Sequence, residues 1–147
     1  MLPKVVLKIL SESKKKSVLV IDDEQDIVLA LRLLLEYYKY QVEIFIDPEA
    51  ALLNFRAGKY DLVLIDYKMP KMTGFELYEK LVGIDPLLKV CFISAFEISE
   101  LPAFQEKHRE IEPDCYMKKP VSPEIIAERI ERVLDRPATW RRDNILV

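Results

Sequence analysis

The sequence has few of the residues on which zinc sites and hydrolytic triads depend. Its single histidine, His108, argues against a histidine-based zinc site and against a Ser-His-Asp triad. The two cysteines, Cys91 and Cys115, lack metal-ligand spacing and lie among apolar residues. We therefore expect buried, reduced thiols rather than a disulfide. No apolar run approaches the roughly 20 residues that a membrane-spanning helix needs.

The chain also lacks an excess of positive charge. Its net charge is -3 and its pI about 5.3, so no global basic field attracts nucleic acid or an anionic membrane. The apolar and lysine-rich parts of the first 16 residues stand in the reverse order of a signal peptide. We expect a cytoplasmic protein that binds neither nucleic acid nor a membrane directly.

Apolar segments alternate regularly with segments of helical periodicity. The length suits one domain, which we expect at residues 17–136, between an N-terminal extension (1–16) and a C-terminal tail (137–147). The predicted strands are 17–21, 42–46, 63–66, 90–94 and 115–117, and the predicted helices are 24–38, 48–58, 75–82, 98–109 and 123–134. Strict alternation predicts an α/β fold in which helices cover both faces of a five-stranded parallel sheet, (βα)5.

Charged and polar residues follow the ends of the predicted strands. The run from Val63 to Asp66 is apolar until its final carboxylate, as in a strand buried on both faces. Parallel strands end at one edge of a sheet, where α/β proteins bind ligands. The same edge should hold Asp22–Asp23, Ser94 and Lys119. One lysine cannot neutralise three carboxylates, whereas Mg²⁺ with oxygen ligands can, and Asp66 would then be a nucleophile toward a phosphoryl group.

Taken alone, each of these residues has an ordinary structural explanation. The acidic run at residues 22–24 suits the positive end of a helix dipole, and Asp66 suits a turn after a strand. Ser94 alone would be a loop hydroxyl and Lys119 a solvated surface charge. The functional hypothesis depends on their joint occurrence at successive strand ends.

The motifs at these positions resemble those of response-regulator receiver domains in two-component signalling, especially stand-alone receivers of the chemotaxis-regulator type. The matching segments are VLVIDDE (18–24), LIDYKMPKMTG (64–74), SA (94–95) and KKP (118–120). The resemblance covers residues 17 to about 136. It implies a flavodoxin-like, doubly wound five-stranded sheet with five helices, in agreement with the alternation described above.

The resemblance also implies roles at the acidic end of the site. Asp66 matches the phosphoacceptor and is also a Mg²⁺ ligand. Asp23 matches a direct metal ligand, and Asp22 matches a residue that acts mainly through water. The backbone carbonyl of Lys68 matches the remaining protein ligand.

Further roles follow from the resemblance at the last two strands. Lys119 matches the phosphate-binding lysine because it directly precedes Pro120, so Lys118 is expected to be solvated. Ser94 matches the switch hydroxyl and Tyr116 the aromatic switch. Thr73 stands where an aspartate is commoner in the family, which has no bearing on the metal.

The function implied is phosphoryl transfer from the phosphohistidine of a sensor histidine kinase, or of a phosphotransfer protein, to Asp66. The chain would be a signalling phosphoacceptor rather than a classical enzyme, although it would catalyse its own phosphorylation and dephosphorylation. A switch at Ser94 and Tyr116 would then change the surface of the last helix, through which the protein contacts a partner or itself. Only about ten residues follow Pro137, which favours a stand-alone receiver. A phosphorelay intermediate and a fragment of a longer transcriptional regulator remain alternatives.

Two other functional classes fit less well. An aspartyl-nucleophile phosphatase usually has an acid/base aspartate two residues after the nucleophile, where this sequence has Lys68. A flavodoxin needs a phosphate-binding loop after its first strand, and the acidic residues 22–24 would repel the phosphate.

Overall fold

The computed structural model of the chain describes residues 1–7, 14–97 and 116–137. Residues 4–7 are helical, and the elements after them alternate between strand and helix as far as the fourth strand. The strands are β1 (Ser17–Ile21), β2 (Gln41–Phe45), β3 (Leu62–Asp66), β4 (Lys89–Ser94) and β5 (Tyr116–Lys118). The helices after β1 are α1 (Gln25–Tyr37), α2 (Pro48–Asn54), α3 (Gly74–Ile84) and α4 (Pro123–Leu134).

The five strands form one parallel sheet in the order β2-β1-β3-β4-β5. This is the flavodoxin-like order, with β3 at the centre of the sheet. The predicted fold class is therefore confirmed. The helix predicted at 98–109 and the cysteine at 115 lie outside the described residues.

Alternate residues of the strands supply two separate cores, one on each face of the sheet. Leu19, Ile21, Val63, Ile65 and Phe92 face α2 and α3. The intervening residues pack against α1 and α4; they are Val18, Val20, Leu62, Leu64, Cys91 and Ile93. Because side chains alternate across a strand, a strand buried on both faces must be apolar at every position. Cys91 is a buried free thiol, as predicted.

Side-chain caps fix the starts of three helices. The Asp47 carboxylate accepts a hydrogen bond from the backbone N–H of Glu49, and Pro48 follows it in the first turn of α2. Thr73 and Glu76 form a reciprocal capping box at α3. Ser122 accepts from the N–H of Ile125 at 3.3 Å, where α4 begins. These caps pair amide donors that a helix start leaves unsatisfied.

Three details of the helices differ from the sequence prediction. Helix α2 ends at Asn54, before the predicted end near Gly58, because Phe55 turns to an extended conformation and packs into the core. Gly58 has φ +79° and lies in the turn that follows. Helix α3 continues through Gly83 to Ile84, beyond the predicted end at residue 82, and the N–H of Asp85 closes its last turn on the carbonyl of Leu81.

The third difference concerns the predicted apolar side of the last helix. The helical spacing in the sequence predicts one apolar side formed by Ile125, Ile126, Ile130, Val133 and Leu134. In the structure Ile125 is 43% exposed, whereas Ile126, Ile130 and Val133 are buried. Within the described ranges, no helix is long and apolar enough to cross a membrane.

Candidate functional site

Four strand ends bring the predicted site residues to one edge of the sheet. Asp66 is the last residue of the central strand β3, and Ser94 is the last residue of β4. Asp22 directly follows β1, and Lys119 directly follows β5. Among the described residues, the buried polar side chains are those of Asp22, Asp66 and Ser94. In this part of the chain, buried polarity is thus concentrated at the carboxyl edge of the sheet.

Three carboxylates and one ammonium group form the centre of the site. Asp22, Asp23 and Asp66 each place a carboxylate oxygen within 4.8 Å of the others. The Nζ atom of Lys119 lies 3.3 Å from Oδ1 of Asp66 and 3.5 Å from Oδ2 of Asp22. The cluster therefore holds three acidic groups against one cation.

The electrostatics of the site follow from burial and from this imbalance. Burial, and next the neighbouring Asp22, raise the pKa of Asp66 to about 6, although Lys119 opposes the shift. Burial also raises the pKa of Asp22. The Asp22 and Asp66 carboxylates together outweigh burial and raise the pKa of Lys119. Lys119 therefore stays charged near neutral pH, and its ammonium group forms ion pairs with both buried carboxylates, Asp22 and Asp66.

Backbone hydrogen bonds hold these side chains in place. The N–H of Glu24 donates to Oδ1 of Asp22 at 2.9 Å. The residue after Asp66, Tyr67, donates its N–H to the carbonyl of Ile93 at 3.0 Å. The N–H of Lys119 donates to the carbonyl of Ser94 at 2.6 Å. These hydrogen bonds join residues at or just after the strand ends, so the site residues are held in position by the sheet.

The loop from β3 to α3 folds back tightly onto the end of β3. The N–H of Gly74 donates to the carbonyl of Tyr67 at 2.6 Å. A Cβ atom at Gly74 would lie 2.6 Å from the carbonyl oxygen of Asp66 and 2.9 Å from the Cα of Tyr67. In the sequence, Gly74 is the last residue of the loop segment that follows the predicted strand 63–66. Its position directly after a helix cap was the available signal that backbone approaches closely here.

The donor set fits a hard divalent cation. All three acidic side chains offer oxygen ligands, and their charge exceeds that of the one lysine. Mg²⁺ prefers such oxygen donors and usually binds one or two carboxylates. The metal-ligand roles of Asp23, Asp66 and the Lys68 carbonyl, and the water-mediated role of Asp22, stay predictions. The Lys68 side chain lies against the ring of Phe96, with Nζ 5.4 Å from the ring centroid.

The predicted switch residues converge on Phe96, a contact that the sequence did not reveal. The Oγ atom of Ser94 accepts a hydrogen bond from the N–H of Phe96 at 3.2 Å. The hydroxyl of Tyr116 donates to the carbonyl of Phe96, and the Tyr116 ring is only 8% exposed. The inward turn expected of Tyr116 on phosphorylation stays a prediction, although the ring is already buried here. Lys118 points away and pairs with Glu97 at 2.8 Å.

Residues 18–131 match the response regulator receiver domain. The chain belongs to this family. The receiver is 32% identical over 125 residues to the transcriptional regulatory protein RprY of Bacteroides fragilis, and the match covers 84% of this chain and 51% of RprY. It is also 32% identical over 123 residues to the alkaline phosphatase synthesis transcriptional regulatory protein PhoP of Bacillus subtilis, covering 82% of this chain and 49% of PhoP. The chain thus spans about half the length of these curated relatives.

Solved receiver structures superpose closely on this chain. A CheY-like receiver domain protein of Methanospirillum hungatei has a TM-score of 0.68 and 29% identity, over 83% of this chain and 95% of that one. The non-phosphorylated HemR receiver domain of Leptospira biflexa has a TM-score of 0.69 and 28% identity, over 84% and 98% of the two chains. The fold and the family therefore agree.

Proposed function

We propose that this receiver accepts a phosphoryl group on Asp66 from the phosphohistidine of a sensor histidine kinase or phosphotransfer protein. The observation that carries the proposal is the buried carboxylate of Asp66, 3.3 Å from Lys119 and beside two further carboxylates. The expected setting is the cytoplasm. The proposed site consists of Asp66, Ser94, Lys119 and a Mg²⁺ ion held by Asp23, Asp66 and the Lys68 carbonyl, with Asp22 acting through water.

In the proposed reaction a carboxylate oxygen of Asp66 attacks the phosphorus atom of the donor. The new O–P bond forms as the N–P bond breaks, and the electron pair of that bond returns to the donor imidazole. Lys119 neutralises charge on the transferred group, and the Ser94 hydroxyl donates a hydrogen bond to a phosphoryl oxygen. Bound Mg²⁺ would supply further charge neutralisation and orient the phosphoryl oxygens. The chain would thus contribute to its own phosphorylation and dephosphorylation.

Treatment with Mg²⁺ and acetyl phosphate, followed by intact-mass analysis, tests the phosphoacceptor. We expect one phosphoryl group on the wild-type protein and none on Asp66→Asn, while Asp26→Asn on the exposed start of α1 is labelled normally. Labelling of Asp66→Asn, or no labelling of the wild type, would refute the assignment.

Adjacent lysines provide a matched pair for the phosphate-binding role. Lys119→Ala should label more slowly because it removes the cation beside Asp66. Lys118→Ala should label at the wild-type rate, since Lys118 pairs with Glu97 on the surface. Equal rates for the two variants would contradict the role of Lys119.

We also propose that phosphorylation is transmitted through Ser94 and Tyr116 to α4. The Ser94 hydroxyl would donate a hydrogen bond to a phosphoryl group on Asp66, and its movement toward Asp66 would break the hydrogen bond that it accepts from the N–H of Phe96. Phe96, whose carbonyl Tyr116 holds, would then be free to shift. The exposed side of α4 carries mixed charge, with Glu128 paired to Arg132 at 2.8 Å. Such a face suits a protein partner or self-association.

Backbone NMR shifts and sedimentation, with and without beryllofluoride as a phosphoryl mimic, test this switch. We expect shifts that extend from the Asp66 pocket through Phe96 to α4. Shifts confined to the pocket would show that Tyr116 does not transmit the signal.

A second candidate function is supported by the lengths of the relatives. The chain spans about half of RprY and of PhoP, both of which are named as transcriptional regulatory proteins. The receiver would then control an adjoining output domain of a longer protein. The complete gene sequence is the test, and it also separates this arrangement from a stand-alone receiver or a phosphorelay intermediate.

A further inference from the structure

Helix α1 carries apolar residues on its outer side as well as on its buried side. Its buried side packs on the sheet through Val28, Leu31 and Leu35. A surface helix normally carries polar residues on the side that faces away from the core. The polar residues of α1 are only four, namely Gln25, Asp26, Arg32 and Glu36. The outer side of α1 is therefore of the kind that another molecule covers.

Three large side chains form an apolar stripe on this outer side. Leu29, Leu33 and Tyr37 follow one another at four-residue spacing, so they lie side by side on one face of the helix. Leu29 is 42% exposed, Leu33 70% and Tyr37 76%. The ring of Tyr37 packs edge-on against that of Tyr38, at a centroid distance of 5.3 Å. Leu29, Leu33 and Tyr37 are called the α1 stripe below.

Opposite charges stand at the two ends of the α1 stripe. Asp26, in the first turn of the helix, precedes Leu29 by three residues and so lies on the same face. Lys39 follows the C-cap residue of the helix and is exposed. Beside the stripe, Arg32 and Glu36 pair with each other at 3.0 Å. The outer side of α1 is thus apolar in the middle, with a negative amino end and a positive carboxyl end.

We propose that the α1 stripe forms a homodimer interface, in which α1 packs antiparallel against α1 of a second copy of the chain. The stripe is self-complementary about a two-fold axis at Leu33, the commonest symmetry of homo-oligomers. Leu29 and Tyr37 lie four residues on either side of Leu33, so each meets the other across the axis. Asp26 lies seven residues before Leu33 and Lys39 six after it, so the same axis brings the Asp26 of each copy beside the Lys39 of the other. Spacing and charge therefore both fit a second copy of this helix.

This dimer is weak and does not require phosphorylation. The α1 stripe is about 12 Å long at the rise of an α-helix, which makes a smaller contact than a standard stable interface. We expect monomer and dimer to exchange at protein concentrations of about 0.1 mM. The cavity between α1 and α4 is lined by other residues of α1, including Ile27 and Leu34. The stripe is therefore separate from the exposed side of α4, and the proposal is independent of the role of Asp66.

Sedimentation equilibrium of the unphosphorylated protein, from about 10 μM to about 1 mM, tests the dimer. We expect Leu33→Glu to abolish it, because the two-fold axis places the two new carboxylates against each other. The matched control is Leu53→Glu, which replaces an 87% exposed leucine of α2 and should dimerise as the wild type does. Thermal melting should show that both variants are folded, since both leucines are largely exposed.

Charge reversal tests the antiparallel orientation. Asp26→Lys should weaken dimerisation about ten-fold, because it turns two attractive pairs across the axis into repulsive ones. Lys39→Asp should have the same effect. The variant with both substitutions should dimerise with the affinity of the wild type, since the pairs are then restored with their signs exchanged.

Three outcomes would overturn the proposal. A wild-type protein that stays monomeric at the highest concentration would refute self-association and would leave the α1 stripe to a partner of another kind. A dimer that Leu33→Glu leaves intact would assign self-association to a different surface. A double charge variant as weak as the single ones would refute the antiparallel pairing.

Discussion

The close approach of Gly74 to the end of β3 makes a sharp prediction about stability. An alanine there would place its Cβ 2.6 Å from the carbonyl oxygen of Asp66, 2.9 Å from the Cα of Tyr67 and 3.1 Å from Cγ2 of Ile65. Two of these contacts are to backbone, which no rotamer change can relieve. We expect Gly74→Ala to lower the free energy of unfolding by about 1–3 kcal/mol, the usual cost of forcing atoms into a packed site.

The same helix supplies the control. Gly83 is exposed near the end of α3, and a Cβ atom there meets nothing within 4 Å. Gly83→Ala should therefore raise the free energy of unfolding by about 0.5–1 kcal/mol, because glycine in a helix has more conformational freedom to lose. The two alanine substitutions in α3 are thus expected to have opposite signs.

Urea unfolding near neutral pH measures both variants. At an unchanged m value, the midpoint should fall for Gly74→Ala and rise for Gly83→Ala. The melting temperature should move in the same directions, by about 3–5 °C per kcal/mol in a domain of this size. A Gly74→Ala protein as stable as the wild type would refute the argument from the close contact. Because the shifted atoms belong to Asp66 and Tyr67, the variant should also label more slowly with acetyl phosphate.

Three further predictions concern charge and hydrogen bonding. In a metal titration, Asp23→Ala should weaken Mg²⁺ binding more than Asp22→Ala. Equal losses of Mg²⁺ affinity in the two variants would contradict the proposed ligand roles. Mg²⁺ should also raise the melting temperature of the wild type by mass action. Asp66→Asn, measured in EDTA at pH 7.5, should raise the free energy of unfolding by on the order of 1–3 kcal/mol. The folded-state pKa of Asp66, about 6, exceeds its unfolded value. Ionisation of Asp66 above about pH 6 therefore destabilises the folded wild-type protein. The gain should shrink as the pH falls toward the unfolded pKa, and a pH-independent gain would count against this cause. Tyr60→Phe should lower the free energy of unfolding by about 1 kcal/mol, since the Tyr60 hydroxyl donates a hydrogen bond to Glu43 at 2.7 Å. That hydrogen bond lowers the pKa of Glu43. In urea unfolding, the loss of stability should therefore be full above the unfolded pKa of Glu43 and should become smaller at lower pH.

The local pattern of the sequence determined the elements of the fold and the composition of the site edge. Continuous apolar runs predicted strands buried on both faces, and the alternation with helical segments predicted a parallel sheet. The sequence also predicts the caps at Asp47 and Ser122, because a capping side chain bonds to backbone only two or three residues away. Parallel strands end together, so the carboxylates after β1 and at the end of β3 were enough to predict an acidic cluster.

Packing between distant residues decided the rest. Phe55 ends α2 early because its ring stacks on Tyr60, at a centroid distance of 5.6 Å, and a helical pattern does not contain that contact. The tertiary structure also revealed that Gly74 touches the backbone of Asp66 and that the partners of Ser94 and Tyr116 meet at Phe96. Sequence spacing specifies which face of an element a residue occupies. It does not specify a distance between atoms on different elements, because that depends on the register of the strands and on the volume of every side chain packed between them.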